Sequence, residues 1–187
     1  WTELDQTLVG TLADMIAFLY ERVSRIEAEN QVRDLDYIDQ LTGLPNQNAF
    51  ISKANNELDA SKDMIFAYLQ LDQFSNIQDV LGFEYGEEVL KQTASRLTNI
   101  FPEPAHVARI GFDHFAVCFN KASVPHYDTQ LLDLKKPMQI DNQEVYITYS
   151  YGVSEYPTHG YNAKECLQRA QIALNDGRTY LSRGVTA

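Results

Sequence analysis

The clearest periodicity lies at the start of the chain. Leu8, Leu12, Met15, Leu19, Val23 and Ile26 recur at spacings of three or four, with Glu, Arg and Asp between them. No proline interrupts residues 2–33, so the pattern predicts one long helix with a narrow apolar stripe. A stripe of that width suits the seam of a parallel coiled coil, whereas a helix packed on its own domain usually carries a wider one. Gly43 and Pro45 break the pattern, and Asn46 is placed to cap a following helix that runs to about Leu58. Met64–Leu71 (MIFAYLQL) reads as a buried strand. Ser75–Leu81 and Glu84–Ile100 read as two helices punctuated at Gly82. His106–Ile110 and Phe115–Phe119 are β-rich arms around Gly111, Phe112, Asp113 and His114, a hairpin signal. Pro125–Leu134 predicts a short helix, Val145–Val153 (VYITYSYGV) a strand, and Asn162–Asp176 an amphipathic helix. Strands interleaved with helices, with one hairpin inserted, predict an α/β fold: a central, mostly antiparallel sheet flanked by helices.

Composition narrows the reading. The chain has 187 residues, 44% of them hydrophobic, enough for one domain with a sizeable core plus an appendage. Its formal net charge of −11 argues against a sequence-independent grip on a nucleic acid polymer or an anionic membrane surface. A nucleotide is still admissible, because a divalent cation can bridge acidic side chains and phosphates. Cys118 and Cys166, the two cysteines, fall in a strand and a helix pattern and read as reduced, buried thiols of a cytoplasmic protein. No apolar run approaches the ~20 residues that span a bilayer. The chain begins at Trp1 in a helical pattern, which reads as a segment of a longer protein.

Taken alone, the Gly111–His114 turn is structural, since Gly and Asp are ordinary turn formers. Its company changes that. Asp39-x-Leu41-Thr42-Gly43-Leu44-Pro45-Asn46-x-x-x-Phe50 resembles the opening signature of GGDEF domains, the diguanylate cyclase family. Leu71-Asp72-x-Phe74 with Gly82 and Gly86 resembles a second block of that family. Arg109-Ile110-Gly111-Phe112-Asp113-His114-Phe115 stands where it carries Arg-x-Gly-Gly-Asp/Glu-Glu-Phe. Tyr151-Gly152-Val153-Ser154 and Arg169-Ala170 resemble its closing strand and last helix. The resemblance spans about residues 36–180 and divides the chain into a signalling helix, 1–35, and a GGDEF domain, 36–187.

The resemblance implies a reaction in which two GTP-loaded domains meet and each 3′-hydroxyl attacks the partner's α-phosphate, giving cyclic di-GMP. Two Mg²⁺ ions would neutralise the developing charge. It assigns the metal ligands to a strand position held here by Gln70 and to Asp113. Gln70 brings no charge, and Mg²⁺ favours carboxylate and phosphate oxygens. Phe112 replaces a glycine that lets backbone approach the nucleotide, and its ring either fills that space or turns outward as a docking patch. His114 replaces a carboxylate. Adjacent strand residues point to opposite faces, so Asp113 and His114 are not expected to build a transition-metal site. Gln78 and Glu87 match guanine-reading positions with arms one methylene longer, and Arg178 matches a phosphate-touching lysine; their alternative is the common one of solvated surface residues. Pro102 and Ala105 stand where the family's inhibitory Arg-x-x-Asp would be. His106, His126 and His159 read as surface or satisfied polar residues.

These departures lead to the expectation of a catalytically degenerate domain. It would serve as a regulatory or dimerising module, relaying a signal from an upstream sensor through the N-terminal helix. The Leu44-Pro45-Asn46 variant is associated with family members that continue into an EAL phosphodiesterase domain. The alternatives are a weakly active diguanylate cyclase and a module that senses GTP without turning it over.

Overall fold

A computed structural model describes residues 15–23, 37–59 and 62–183; side chains of residue 128 and of residues 178–183 lie outside the description. The chain divides into two compact units, 1–36 and 37–187. In the first, residues 15–23 are helical. Met15, Leu19 and Val23 of the expected seam are exposed, and so are Ile16, Phe18 and Tyr20, so apolar side chains here are not confined to one narrow stripe. The remainder of the helix expected over 2–33 lies outside the described residues.

The second unit runs α1 (Gln47–Glu57), β1 (Met64–Leu71), α2 (Phe74–Leu81), α3 (Phe83–Ile100), β2 (His106–Arg109) and β3 (His114–Asn120). It continues through α4 (Tyr127–Leu132), a 3₁₀ turn (Asp133–Lys135), β4 (Met138–Ile140), β5 (Gln143–Val145), β6 (Tyr149–Tyr156) and α5 (Ala163–Arg183). The strands form a four-stranded sheet in the order β2-β3-β1-β6, antiparallel throughout, and β4-β5 form a separate ribbon. This is the α/β architecture expected, a helix-flanked antiparallel sheet.

β1 is buried on both faces, which is why it reads as a continuous apolar run. Ile65, Ala67, Leu69 and Leu71 join a core with Val89, Leu90 and Leu97 of α3 and with the β4 ribbon. Met64, Phe66 and Tyr68 face the other way, into a core with Phe50 and Ala54 of α1 and Cys166, Leu167, Ala170 and Leu174 of α5. Helices thus cover both faces, and the strand alternation assigns each side chain to its layer. At Gly152 a Cβ would stand 2.1 Å from the Ala170 carbonyl oxygen and 2.3 Å from the Leu174 nitrogen, so only glycine lets α5 lie this close to β6. Gly82, at φ +94°, makes the sharp junction between α2 and α3.

The strand expected over Val145–Val153 is in fact divided. Val145 closes the β4-β5 ribbon, whose turn residues Asp141 and Asn142 both have positive φ (51° and 61°). A two-residue turn with that backbone is the usual hairpin connection. β6 begins only at Tyr149, so the three tyrosines differ: Tyr149 is buried, Tyr151 half-buried and Tyr146 exposed.

Candidate functional site

The site grows from one row of the sheet. Register places Ser150 of β6, Gln70 of β1 and His114 of β3 side by side at one end of the strands. Asp113 precedes β3 in the turn, and its carbonyl accepts the Leu71 backbone N–H at 3.0 Å, which pins the turn to the end of β1. The Ile110 N–H donates to the His114 carbonyl at 2.9 Å and closes the loop.

These contacts fix the surroundings of Asp113, which is 9% exposed. Gln70 Nε2 donates to its Oδ2 at 3.0 Å, and His114 Nδ1 lies 2.8 Å from its Oδ1. Both carboxylate oxygens are therefore engaged, and by two residues in which the chain departs from the family pattern. The side chains of Asp113 and His114 do not point to opposite faces as expected. Asp113 lies in the turn rather than the strand, so the alternation rule does not apply to it. The His114 ring packs edge-on against Tyr68, with centroids 5.4 Å apart. Burial, and behind it the Asp113 charge, raises the Tyr68 phenol above its ordinary pKa. On the opposite flank, Ser150 Oγ donates to Asp72 Oδ1 at 2.7 Å.

A second set of bonds holds the turn from behind. Asp39 Oδ1 accepts from the Thr42 N–H at 2.9 Å and the Thr42 hydroxyl at 2.6 Å. Arg109 Nη1 donates to both oxygens of Asp39, at 3.1 and 3.0 Å, and Arg109 Nη2 to the Phe112 carbonyl at 2.8 Å. The Arg109 N–H donates to the Pro45 carbonyl, and Asn46 Oδ1 caps α1 through the Ala49 N–H. Burial raises the Asp39 pKa, but the Thr42 bonds and the Arg109 guanidinium outweigh it and hold this carboxyl below its ordinary value. The opening signature is thus a clamp on the hairpin. Asp39 and Arg109 lie in two separate motif blocks, and their opposite charges are the one sign in the sequence that the blocks join.

The remaining expected residues are distributed around this centre. Phe112 is 55% exposed and its ring stands edge-on to Phe74, centroids 5.2 Å apart, at the start of α2. Gly111 lies under His114, whose Nδ1 would be 3.1 Å from a Cβ there, and Phe115 is buried in the core. Gln78 is half-buried and covers Gly86, with its Cγ 2.7 Å from where a Cβ on that glycine would stand. Glu87 is exposed on α3, and the Arg178 side chain lies outside the described residues. His106 Nε2 lies 2.9 Å from Glu57 Oε1 but outside hydrogen-bond geometry, whereas His159 Nδ1 accepts the Glu155 N–H at 2.9 Å and is a satisfied polar residue.

One carboxylate, one neutral amide and one imidazole do not fit a pair of magnesium ions, which require several oxygen donors in octahedral geometry. Among the described residues no group of three or more His, Cys, Asp or Glu side chains is placed to hold a metal ion. Nor is any described helix long and apolar enough to cross a membrane.

Comparison with known proteins gives a consistent result. The family model for the diguanylate cyclase GGDEF domain matches residues 36–179. The signaling protein YkoW of Bacillus subtilis is 26% identical over 164 residues, covering 82% of this chain and 20% of the relative. The cyclic di-GMP phosphodiesterase NbdA of Pseudomonas aeruginosa is 31% identical over 159 residues, with coverage of 81% and 20%. This chain therefore spans about a fifth of the length of these curated relatives. Among solved structures, a sensory box/GGDEF family protein of Caulobacter crescentus superposes with a TM-score of 0.70 at 27% identity, covering 77% of this chain and 99% of that one. The matched stretch covers well over half of the sequence, and the fold agrees with that of the solved structure: the chain belongs to the diguanylate cyclase GGDEF domain family.

Proposed function

We propose that this GGDEF domain is catalytically silent and works as a regulatory and dimerising module in cyclic di-GMP signalling. The observation that carries the reading is the engagement of both Asp113 oxygens by Gln70 and His114. Those two side chains stand where the family pattern places carboxylates, and here they consume the one carboxylate that is left. Binding a divalent cation at Asp113 would break these contacts and gain no second negative charge in return. Phe112 adds a bulky, half-exposed ring at a position the family leaves to glycine.

The target of such a module is an EAL-type phosphodiesterase domain in the same polypeptide, and the N-terminal helix is the route for an upstream signal and the site of self-association. Support comes from a relative named as a cyclic di-GMP phosphodiesterase, of which this chain matches about a fifth. The test is calorimetric titration of GTP into the chain with excess Mg²⁺, with cyclic di-GMP assayed in the same sample. Wild type is expected to form no product, whereas the triple variant Gln70→Asp, Phe112→Gly, His114→Glu gains Mg²⁺-dependent GTP binding. Product from wild type would overturn the proposal. Binding without product would retain silence and make GTP the regulating ligand.

A further inference from the structure

In α5 the residues Arg169, Ile172, Ala173 and Asp176 are spaced i, i+3, i+4 and i+7 and so form one stripe along the helix. The stripe is turned away from the core, which α5 reaches through Cys166, Leu167, Ala170 and Leu174. Ile172 is 49% exposed, and Arg169, Ala173 and Asp176 are exposed too. All of them line a groove of about 420 Å³, together with Thr158 and His159 of the turn after β6. β6 is the outer strand on this flank, so the four-stranded sheet ends there. Among the described residues neither Arg169 nor Asp176 has an ion pair.

The order along the stripe is a cation, two apolar residues and an anion. Its charged ends stand about 10 Å apart along the helix, two turns. Reversing the helix about an axis between Ile172 and Ala173 returns the same pattern with its charges exchanged. Each Arg169 then faces an Asp176, and each Ile172 faces a small Ala173, which lets two such helices approach closely. A parallel copy would set like charges against each other, and an uncharged partner would leave both ends unpaired. The stripe is thus complementary to itself in the antiparallel sense. The chain's net charge of −11 opposes association at a distance, but at physiological ionic strength that repulsion is screened beyond about 8 Å, whereas the facing pairs would be in contact. We propose that two copies of this chain pack α5 against α5 in antiparallel, across a two-fold axis between Ile172 and Ala173, with Arg169 of each copy on Asp176 of the other. This surface is distinct from the N-terminal helix, and it does not depend on whether the Asp113 site turns over nucleotide.

The test uses the 187-residue chain carrying Ala173→Cys and a short bismaleimide crosslinker; Cys118 and Cys166 are buried and stay unlinked. Linked dimer is expected from this chain, and far less from one that carries Val80→Cys instead, at an exposed position on α2. Adding Arg169→Asp or Asp176→Arg should each cut the yield by about fivefold or more, because like charges then face each other across the axis. Mixing these two variants should restore it, with the mixed dimer dominating over either homodimer in intact-mass measurement. All of these positions are exposed, so circular dichroism should show every variant folded. In sedimentation without crosslinker or added cysteine, the mixture of Arg169→Asp and Asp176→Arg chains should associate more tightly than either alone. That comparison is unaffected by contacts through the N-terminal helix, which both variants share. A random distribution of linked pairs, equal yield from Val80→Cys, no linked dimer from Ala173→Cys, or a mixture no tighter than its parts would each overturn the proposal.

Discussion

Replacing Gln70 with Asp tests the physical basis of the proposed silence most directly. The substitution removes the amide donor 3.0 Å from Asp113 Oδ2 and puts a second carboxylate across the same gap. Two like charges about 4 Å apart at an effective dielectric of about 20 repel by about 4 kcal/mol. Protonating one carboxyl instead sets a similar ceiling, because holding a group of pKa about 4 neutral at pH 7 costs about 4 kcal/mol. Position 70 is only half-buried, and solvent reduces the expected loss to about 2–3 kcal/mol. For a chain of this size that corresponds to a melting temperature lowered by about 4–12 °C. A divalent cation between the two carboxylates offsets the repulsion, by about 2.7 kcal/mol at a hundred times its dissociation constant. The assay is calorimetric unfolding in EDTA and in a Mg²⁺ series at constant ionic strength. In EDTA the variant should melt below wild type at pH 7.5, and the gap should narrow towards pH 4. The carboxyl with the raised pKa favours the folded state only while it is protonated, so the penalty grows as pH rises through that pKa. Added Mg²⁺ should lift the variant and leave wild type unmoved. An equal Mg²⁺ response in wild type, or no loss in EDTA for the variant, would refute the assignment of Gln70 as the residue that satisfies Asp113.

Three further outcomes are expected. Asp39→Asn should lower stability at pH 7 by about 1–2 kcal/mol in urea titrations, allowing for partial solvent exposure of the Arg109 pair. Because the folded-state pKa of Asp39 is depressed, its contribution is present above the unfolded value near 4 and fades as pH falls through the folded one, so variant and wild type should converge in acid. Gly152→Ala should destabilise by about 3 kcal/mol or more in denaturant unfolding, since the new Cβ meets helix backbone that must move as a unit. Burial pushes both thiols up, Cys166 to about 11. A thiol reagent at pH 8 should therefore label neither cysteine in the native chain and both after unfolding, as checked by mass spectrometry.

Much of this arrangement was legible in the sequence for a physical reason. β1 is an uninterrupted apolar run because helices cover both of its faces, and α1 begins at Asn46 because that side chain caps it. The hairpin tip was legible too, since Gly111 and Asp113 are ordinary turn residues between strand-like arms. What a linear reading misses is the pairing of distant polar groups. Nothing local in Gln70 says that its amide will meet Asp113, 43 positions away, and nothing in Asp39 announces Arg109, 70 positions away. The β4-β5 ribbon was missed because its strands are only three residues long, too short for alternation to register. Asp141-Asn142 was the one local sign of its turn. The opposed directions expected for Asp113 and His114 failed because the rule belongs to strands, and Asp113 stands one residue before its strand begins.

The Asp39 clamp has a mechanical consequence. Where the backbone of the second unit begins, at Tyr37 and Asp39, the chain is already bound: the Tyr37 carbonyl holds the Asn46 N–H, and the Asp39 side chain holds Arg109. The same guanidinium grips the carbonyl of Phe112. A pull or twist applied at residue 37 therefore has a polar route to the tip of the hairpin through two side chains in series, Asp39 and Arg109. Arg109 also ends β2, paired with Phe115, so one guanidinium ties the base of the unit to the turn that carries Phe112 and Asp113 and to the edge of the sheet at once.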